Sequence, residues 1–351
     1  MPAWFSNGES PQGLELCEEY STYALGALHQ QTGKNPRNED FGENIPLRIR
    51  AELESMVKRV DEAWRNRVHL DYSLQDVCAA LEENSGSKTR NEYLRDRFKG
   101  PYSVNDSGVL EIVDRPTVYI DKDGMVVAWY LPAVFTRSRS EHIFKTMKKY
   151  ANTKVFMAPS RTQAWRHNPE NFAIGDRCEL PPVNANLALS WYSLGHPPST
   201  GAIPFPSSPL RHSGRAGCDL LNEMMETNAL VGTLLSLVHP NLYHQQMRVL
   251  VELYSGRAAV GDPERMHELF PFWSTPFTGF SLIANRETIF HRDTKGGKML
   301  FNILGAFGRY TSGRMEVPLL GARFAYDPGC GLVIPGFLME HGASRTDGVR
   351  V

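Results

Sequence analysis

The chain has 351 residues, of which 41% are hydrophobic and 22% charged, and this composition excludes a mainly disordered protein. No run approaches the roughly 18 apolar residues of a membrane helix, and the first residues lack the basic-then-apolar order of a secretory signal, so we expect no membrane association. Five scattered cysteines without a CxxC spacing argue against a disulfide framework and favour a reducing compartment. The net charge of −1 neither indicates nor excludes nucleic-acid binding.

The N-terminal part of the chain divides by composition into two segments. Residues 1–45 are acidic, and we predict a loosely ordered segment with one short helix near residues 14–30. Residues 46–110 form a predicted helical layer, because apolar residues recur at three- and four-residue steps up to about Leu70. Ser73 is placed to cap a second helix of this layer.

Residues 111–351 show β-strand patterns interrupted by one helical region. Two β-rich runs flank the turn 121–124, which predicts a hairpin. Residues 160–218 form a Pro/Gly/Ser-rich insertion in which we predict no regular structure, and residues 219–255 form a helix broken at Pro240. Short strands are predicted after residue 277, at 280–284, 299–304, 323–326, 332–334 and 337–339. The predicted fold class is α+β, with a helical N-terminal layer on a β-barrel core.

A histidine and an aspartate two positions apart suggest a metal site. His291 and Asp293 follow a predicted strand, and residues two apart project to the same side of an extended backbone. With a distant histidine they form the facial triad of non-haem Fe(II) oxygenases, and His341, 50 positions after His291, is the best third ligand. Four or five short strands fit between the histidines, as a double-stranded β-helix (jelly-roll, cupin-like) would need. The alternative is a surface turn, because an isolated HxD tripeptide is common by chance.

An arginine beyond the third histidine suggests the co-substrate. A 2-oxoglutarate molecule ends in a carboxylate, and a buried arginine holds such a group better than a lysine. Arg350 lies nine residues after His341, at the start of an extended segment. Arg345 is the competing candidate, but it lies in a predicted turn.

The motifs between residues 273 and 351 resemble the fungal, basidiomycete-type branch of the TET/JBP family. They are WSTPFTGFSLIANR at 273–286, HRD at 291–293, LGAFGRY at 304–310, FAYDPG at 324–329 and LMEHG at 338–342. Members of this family are Fe(II)- and 2-oxoglutarate-dependent nucleobase dioxygenases, so the resemblance implies Fe(II), 2-oxoglutarate and O2. It also implies that His291, Asp293 and His341 bind iron, that Arg350 holds the distal carboxylate of 2-oxoglutarate, and that Arg286 helps hold this co-substrate. Family members continue into a final strand, whereas this sequence stops at Val351, so any base contact from that strand stays unassigned.

Local charge indicates where a nucleic acid would bind. Residues 137–167 contain eight lysines and arginines and one acidic residue. This segment would contact the phosphates of a nucleic acid. The alternative is a solvated helix face without a partner. The strongest candidates in this segment are Lys145, Lys148 and Lys149. A second basic stretch, 207–215, contains Arg211 and Arg215 in a predicted flexible loop that would reach a flipped-out base or be an ordinary disordered loop. Arg292, Lys295 and Lys298 add positive charge around the HRD motif.

We therefore predict a monomeric dioxygenase that flips a methylated base out of duplex DNA and oxidises its methyl group. The substrate is 5-methylcytosine, giving hydroxymethyl-, formyl- and carboxylcytosine, or N6-methyladenine, giving demethylation. Phe337, on a predicted pocket strand, would stack on the base or face the core. Such a substrate implies a nuclear protein. The alternatives are a 2-oxoglutarate hydroxylase acting on protein or a small molecule, and a non-catalytic DNA-binding barrel.

Overall fold

The structure is a computed structural model that describes residues 10–33, 42–83, 90–101, 111–160, 165–173, 179–191, 202–294 and 296–351. Within these residues the helices are α1 (Gln12–Gln31), α2 (Leu47–Arg65), α3 (Leu74–Glu83), α4 (Arg90–Arg97), α5 (Arg137–Tyr150), α6 (Ser208–His212), α7 (Arg215–Val238), α8 (Pro240–Tyr254) and α9 (Pro263–Leu269). The strands up to the HRD motif are β1 (Arg67–His69), β2 (Ile112–Val113), β3 (Thr117–Ile120), β4 (Val126–Leu131), β5 (Asn184–Ala188), β6 (Gly279–Ile283) and β7 (Thr288–His291). The strands that follow are β8 (Asn302–Gly305), β9 (Gly308–Arg309), β10 (Arg314–Val317), β11 (Ala322–Ala325), β12 (Gly331–Ile334), β13 (His341–Ala343) and β14 (Val349–Arg350).

The chain divides into two compact units. One consists of residues 1–57, 142–159 and 180–284, and the other of residues 58–141, 160–179 and 285–351. The division into 1–45, 46–110 and 111–351 that composition suggests stays a prediction. None of the helices in the described part of the chain combines the length and the apolar character needed to cross a lipid bilayer.

The first unit is mainly helical. Helix α1 packs against α7, where the Ser21 hydroxyl contacts that of Thr233 and Gly232 leaves room for Cys17. The helix predicted near residues 14–30 is confirmed, but it spans 20 residues and buries one face. Strands β5 and β6 pair antiparallel, from Asn184 opposite Ile283 to Ala188 opposite Gly279. Strand β5 was not predicted, because it lies in the Pro/Gly/Ser-rich stretch.

The second unit contains two five-stranded sheets, with the strand orders β1-β3-β4-β12-β8 and β2-β11-β10-β13-β7. All pairs are antiparallel except β1 with β3 and β2 with β11. The sheets share one core, in which Tyr130 stacks on Phe324 with ring centroids 4.6 Å apart and donates a hydrogen bond to the Ala325 carbonyl. The fold is thus mixed α+β with mainly antiparallel sheets, as predicted.

Local signals predicted several elements of the second unit correctly. Ser73 caps α3 by accepting from the Asp76 amide, while Asp76 accepts from the Ser73 amide. The predicted hairpin is β3–β4, with Gly124 at φ 82° in its turn. The strand predicted at 337–339 is wrong: β12 ends at Ile334, and a turn leads into β13. The Pro335 carbonyl accepts the Leu338 and Met339 amides, which holds this segment in the turn.

Candidate metal centre and co-substrate site

Strand pairing places the two candidate histidine ligands side by side. Strand β7 ends at His291 and β13 begins at His341, and these residues are partners in the β7–β13 register. Asp293 follows β7 directly, so one potential ligand atom from each of the three residues lies within 4.8 Å of the others. His291 Nε2 lies 3.3 Å from Asp293 Oδ1, and His341 Nε2 lies 3.9 Å from Asp293 Oδ2. We call these three residues the ligand triad.

Backbone hydrogen bonds fix which nitrogen of each histidine faces the centre. His291 Nδ1 lies 2.9 Å from the Ile289 carbonyl, and His341 Nδ1 lies 2.9 Å from the Met339 carbonyl. A carbonyl oxygen only accepts, so both Nδ1 atoms donate and both neutral rings direct the Nε2 lone pair inward. Two lone pairs and a carboxylate therefore converge, which is favourable only with a cation between them. Backbone carbonyls orient histidine ligands in the same way in known metal sites.

Asp293 is held by its own set of contacts. Its Oδ2 accepts from Asn302 Nδ2 at 2.7 Å, and its amide donates to the Gly336 carbonyl at 2.8 Å. Gly336 is required by close approach, because a Cβ there would lie 2.9 Å from Asp293 Oδ2. Burial alone would raise the pKa of Asp293, but the neighbouring His291 and His341 and a nearby arginine outweigh it and lower the pKa. The carboxylate is therefore ionised at neutral pH and available as a ligand.

A short 3-10 turn, Trp165–His167, contributes two residues to the site that sequence reasoning did not place there. The Trp165 ring packs against His291 with centroids 4.8 Å apart, and Arg166 lies 3.7 Å from Asp293 Oδ1. Both residues belong to the basic stretch 137–167, whose charge suggested a DNA contact rather than a metal-site neighbour. Asn171 Nδ2 donates to the Trp165 carbonyl, and Ala173 donates to Asn285, so the turn is fixed beside the strand that carries His291.

Two buried arginines lie in this region: Arg286 is close to Asp293, and Arg350 contacts Arg286. Arg350 is 7% exposed, donates to the Ser344 carbonyl at 2.6 Å, and also bonds the carbonyl of Arg286. Arg286 is 9% exposed, packs over the Trp165 ring, and has a buried Nε without a partner in the described part of the chain. Burial, with repulsion from Arg166 and Arg350, lowers the pKa of Arg286 to about 10, so it is still charged at neutral pH.

These arginines have no direct ion pair with a carboxylate in the described part of the chain, although Asp293 lies near Arg286 and Glu287 near Arg350. Among the residues that the structure describes, no carboxylate forms an ion pair with Arg286 or Arg350. Buried charges are costly unless they are paired, so an anionic ligand at this position is physically favoured. The competing Arg345 is 57% exposed and already bonds Glu287 at 2.6 Å. Of the two candidates, Arg350 is the buried one and has no direct ion pair among the described residues, so it is better suited to bind the carboxylate of a co-substrate.

Arg292 and Phe337 lie close to the triad but are engaged elsewhere. Arg292 Nε donates to Asn91 Oδ1 at 2.9 Å, and its Nη1 donates to the Phe337 carbonyl at 3.3 Å. Phe337 is half-buried in the turn after β12 and packs against the core that the two sheets share. Of the other basic residues in this region, Lys298 is paired with Glu82, and Lys295 lies outside the described residues.

The remaining predicted substrate contacts lie in the first unit. Lys145, Lys148 and Lys149 form one exposed face of α5, which we call the α5 basic face, and Lys149 also pairs with Glu223. The stretch 207–215 is not a flexible loop: it contains α6 and the start of α7. In it, Arg211 packs over the Phe205 ring, while Arg215 is exposed and pairs with Asp219. Three of the aromatic residues in the basic stretch are core residues, namely Phe144, Tyr150 and Phe156, whereas Trp165 packs against His291.

Comparison with known proteins gives one family match that contains the ligand triad. Residues 189–348 match the Tet_JBP family model, described as the oxygenase domain of the 2OGFeDO superfamily, a match that includes the whole ligand triad. No curated protein sequence matches the chain significantly. A solved structure of NgTET1 in complex with 5mC DNA is similar at 15% identity, covering 79% of this chain and 88% of that one, with a TM-score of 0.44. The matched superfamily uses Fe(II), 2-oxoglutarate and O2, and the ligand triad offers a site for the metal.

Proposed function

We propose that this protein is an Fe(II)- and 2-oxoglutarate-dependent dioxygenase that oxidises the methyl group of a modified base in duplex DNA. The observation that carries the proposal is the ligand triad, which lies in the segment that matches an oxygenase family and close to the buried Arg286, whose Nε has no partner in the described part of the chain. The buried Arg350, just beyond that segment, bonds the carbonyl of Arg286. The triad fits a divalent metal because two oriented Nε2 atoms and one carboxylate converge from β7, β13 and the residue after β7.

The side chains at the site have separate tasks in this proposal. His291, Asp293 and His341 hold the metal, which supplies the oxidising chemistry when it is bound with 2-oxoglutarate and O2. Arg350 binds the distal carboxylate of 2-oxoglutarate, and Arg286 neutralises the rest of its charge. The backbone bonds of both histidines and the bond from Asn302 to Asp293 keep the ligand atoms directed inward before the metal arrives. A double-stranded β-helix arrangement of the two sheets is part of this proposal.

The charge around the triad supports an anionic substrate. Arg166, Arg286 and Arg350 bring three positive charges, and Asp293 brings one negative charge; Glu287, the nearby acid, is paired with Arg345. A divalent metal ion and dianionic 2-oxoglutarate neutralise each other, so an excess of two positive charges is left. A phosphate backbone would balance that excess, whereas a neutral small molecule would not. Arg166 is 44% exposed and is the residue of this set that best suits an incoming phosphate.

The α5 basic face is a second proposed contact for phosphates. Its three lysines are exposed, and Lys148 and Lys149 follow Lys145 by three and four positions on one helix, so they can approach one polyanion together. We extend the proposal to 5-methylcytosine as the first substrate and N6-methyladenine as the second, with the product series that each implies, and to a monomer that acts in the nucleus. The affiliation with the fungal branch of the family also stays a proposal.

Mass spectrometry of nucleosides tests the function directly. Duplexes that carry each methylated base are incubated with protein, Fe(II) and 2-oxoglutarate, and with His291→Ala protein as the matched control. We expect hydroxymethyl-, formyl- or carboxylcytosine, or loss of N6-methyladenine, with wild-type protein only. Succinate formation without any change in the DNA would indicate a hydroxylase for another substrate. DNA binding without succinate formation would indicate a non-catalytic barrel.

A further inference from the structure

Helix α4 contacts the residues on both sides of the candidate ligand His291 and the residue just before the candidate ligand His341. Arg95 packs its guanidinium over the Phe290 ring at 5.0 Å, and Asn91 accepts from Arg292, so the residues flanking His291 both touch α4. Glu340, the residue before His341, accepts from Asn91 Nδ2 at 2.8 Å and from Arg95 Nε at 2.6 Å. We call Asn91, Arg95, Arg292 and Glu340 the α4 network.

The two α4 residues of this network lie on the inner face of the helix. Asn91 and Arg95 are four positions apart, so they project from the same side, and Leu94 on that side is fully buried. Glu340 is only 3% exposed, and a side chain with two polar oxygens at that depth requires hydrogen-bond partners such as Asn91 and Arg95. Asn91 donates to Glu340 and accepts from Arg292, so a single side chain joins the β7 end to the turn before β13.

We propose that the α4 network is a positioning device for the candidate metal centre. The β7–β13 pairing places His291 opposite His341, and the network keeps the two segments that carry these residues at that distance. None of its four members is itself a ligand. Arg292 is then a positioning residue rather than a DNA contact, because Asn91 and the Phe337 carbonyl already engage its guanidinium. This inference rests on the proposed function, because it requires that the ligand triad binds a divalent metal.

Co(II) titration tests the inference, since the visible absorption of bound Co(II) reports both affinity and ligand geometry. Asn91→Leu removes both bonds of the bridging side chain at similar volume, and Arg95→Gln removes the charge that faces Glu340. We expect each substitution to weaken Co(II) binding by about 10–100-fold, the usual effect of losing a partner that orients a metal ligand. Arg97→Gln is the matched control: Arg97 lies on the same helix but pairs with Glu83 at the surface, and Co(II) binding should not change.

Thermal melting without metal separates positioning from folding. A variant that melts at a lower temperature yet binds Co(II) with wild-type affinity and spectrum would overturn the inference, because the network would then stabilise only the fold. Equal weakening by Arg97→Gln would also overturn it, since the effect would belong to the helix as a whole. If Asn91→Leu fails to fold, the milder Arg95→Gln decides, because Arg95 is 39% exposed.

The same titration distinguishes failure of this inference from failure of the proposed function. If wild-type protein does not bind Co(II), or binds it equally well after His341→Ala, the triad is not a metal site and the proposed function fails. If wild-type binding depends on His341 but Asn91→Leu and Arg95→Gln bind normally, only the positioning role fails.

Discussion

Replacing Gly336 by alanine should damage the candidate metal centre although no ligand residue is replaced. The new Cβ would lie 2.7 Å from Asn302 Nδ2 and 2.9 Å from Asp293 Oδ2, whereas ordinary contacts begin near 3.4 Å. The two side chains must therefore retreat by about 0.5 Å or more, because a packed interior leaves little room for compression. Their mutual hydrogen bond, 2.7 Å long, lies directly in the path of the added methyl group.

The size of the effect follows from what that hydrogen bond does. It holds one oxygen of Asp293, and removing such an orienting partner typically lowers metal affinity by about 10–100-fold. This corresponds to about 1.4–2.7 kcal/mol of binding free energy. The bond from the Asp293 amide to the Gly336 carbonyl should survive, because alanine keeps the carbonyl and Gly336 does not have a positive φ. We therefore expect a folded protein that binds metal weakly.

Calorimetric titration with Mn(II), with and without 2-oxoglutarate, measures this loss. Gly296→Ala is the matched control, because the single described atom that a Cβ there would meet is the Asp293 carbonyl oxygen, at an ordinary 3.5 Å. Wild-type Mn(II) affinity in Gly336→Ala protein would refute the reasoning, since it would show that Asp293 is not held against Gly336 as described. A similar loss in Gly296→Ala protein would show that the turn as a whole, rather than this contact, controls the site.

Three further predictions concern arginine and lysine side chains. Arg350→Ala should raise the 2-oxoglutarate requirement tens- to thousands-fold while Mn(II) binding persists, because losing a buried charge-assisted pair costs on the order of 2–5 kcal/mol. Arg166→Ala should weaken the binding of methylated duplex without changing the 2-oxoglutarate requirement, because we propose that its half-exposed side chain contacts a phosphate of the substrate. Reversing the α5 basic face to glutamate should weaken binding to every duplex and flatten the plot of log affinity against log salt by about one unit per lost phosphate contact. The substituted residues are Lys145, Lys148 and Lys149.

Each of these predictions has its own control. Arg345→Ala should leave the 2-oxoglutarate requirement unchanged, and the opposite pattern would transfer the co-substrate role from Arg350 to Arg345. For Arg166, an equal effect on a free methylated nucleoside would contradict a phosphate contact. For the α5 basic face, Mn(II) binding serves as the folding control. An unchanged salt dependence would show that this face is solvated and that DNA contacts lie elsewhere.

The candidate metal centre could be predicted from the sequence because a short motif of two metal-binding residue types marks it. His291 and Asp293 are two positions apart, and His341 follows at a spacing that leaves room for β8 to β12. Local turn and capping signals similarly identified Ser73 and the β3–β4 hairpin, since each depends on neighbouring residues. Features that one segment determines by itself were therefore predictable.

Features that depend on distant backbone contacts were not predictable. Trp165 and Arg166 reach the site through bonds from Asn171 and Ala173 and a backbone bridge between Phe172 and Arg286, and none of these contacts leaves a local sequence signal. Arg292 looked like a free cation because its partner Asn91 lies 201 positions away. Charge density alone could not separate the exposed lysines of α5 from Arg139, which is buried in the same helix.

The register between β7 and β13 links metal occupancy to the order in which the protein unfolds. His291 and His341 are separated by 50 positions, and closing a loop of that length in an unfolded chain costs about 4 kcal/mol in the chain-entropy model. In the folded chain the β7–β13 pairing already holds His291 next to His341. A metal ion at the ligand triad would therefore bind the folded chain far more tightly than the unfolded chain. At 100 times its dissociation constant, such an ion stabilises the native state by about 2.7 kcal/mol. Strand β7 is at the edge of its sheet and, among the described residues, pairs with one strand, β13. Without a metal ion at the triad, the hydrogen bonds to β13 are the main contacts that keep this edge closed. Hydrogen exchange in β7 should therefore be the first to increase when the metal is removed.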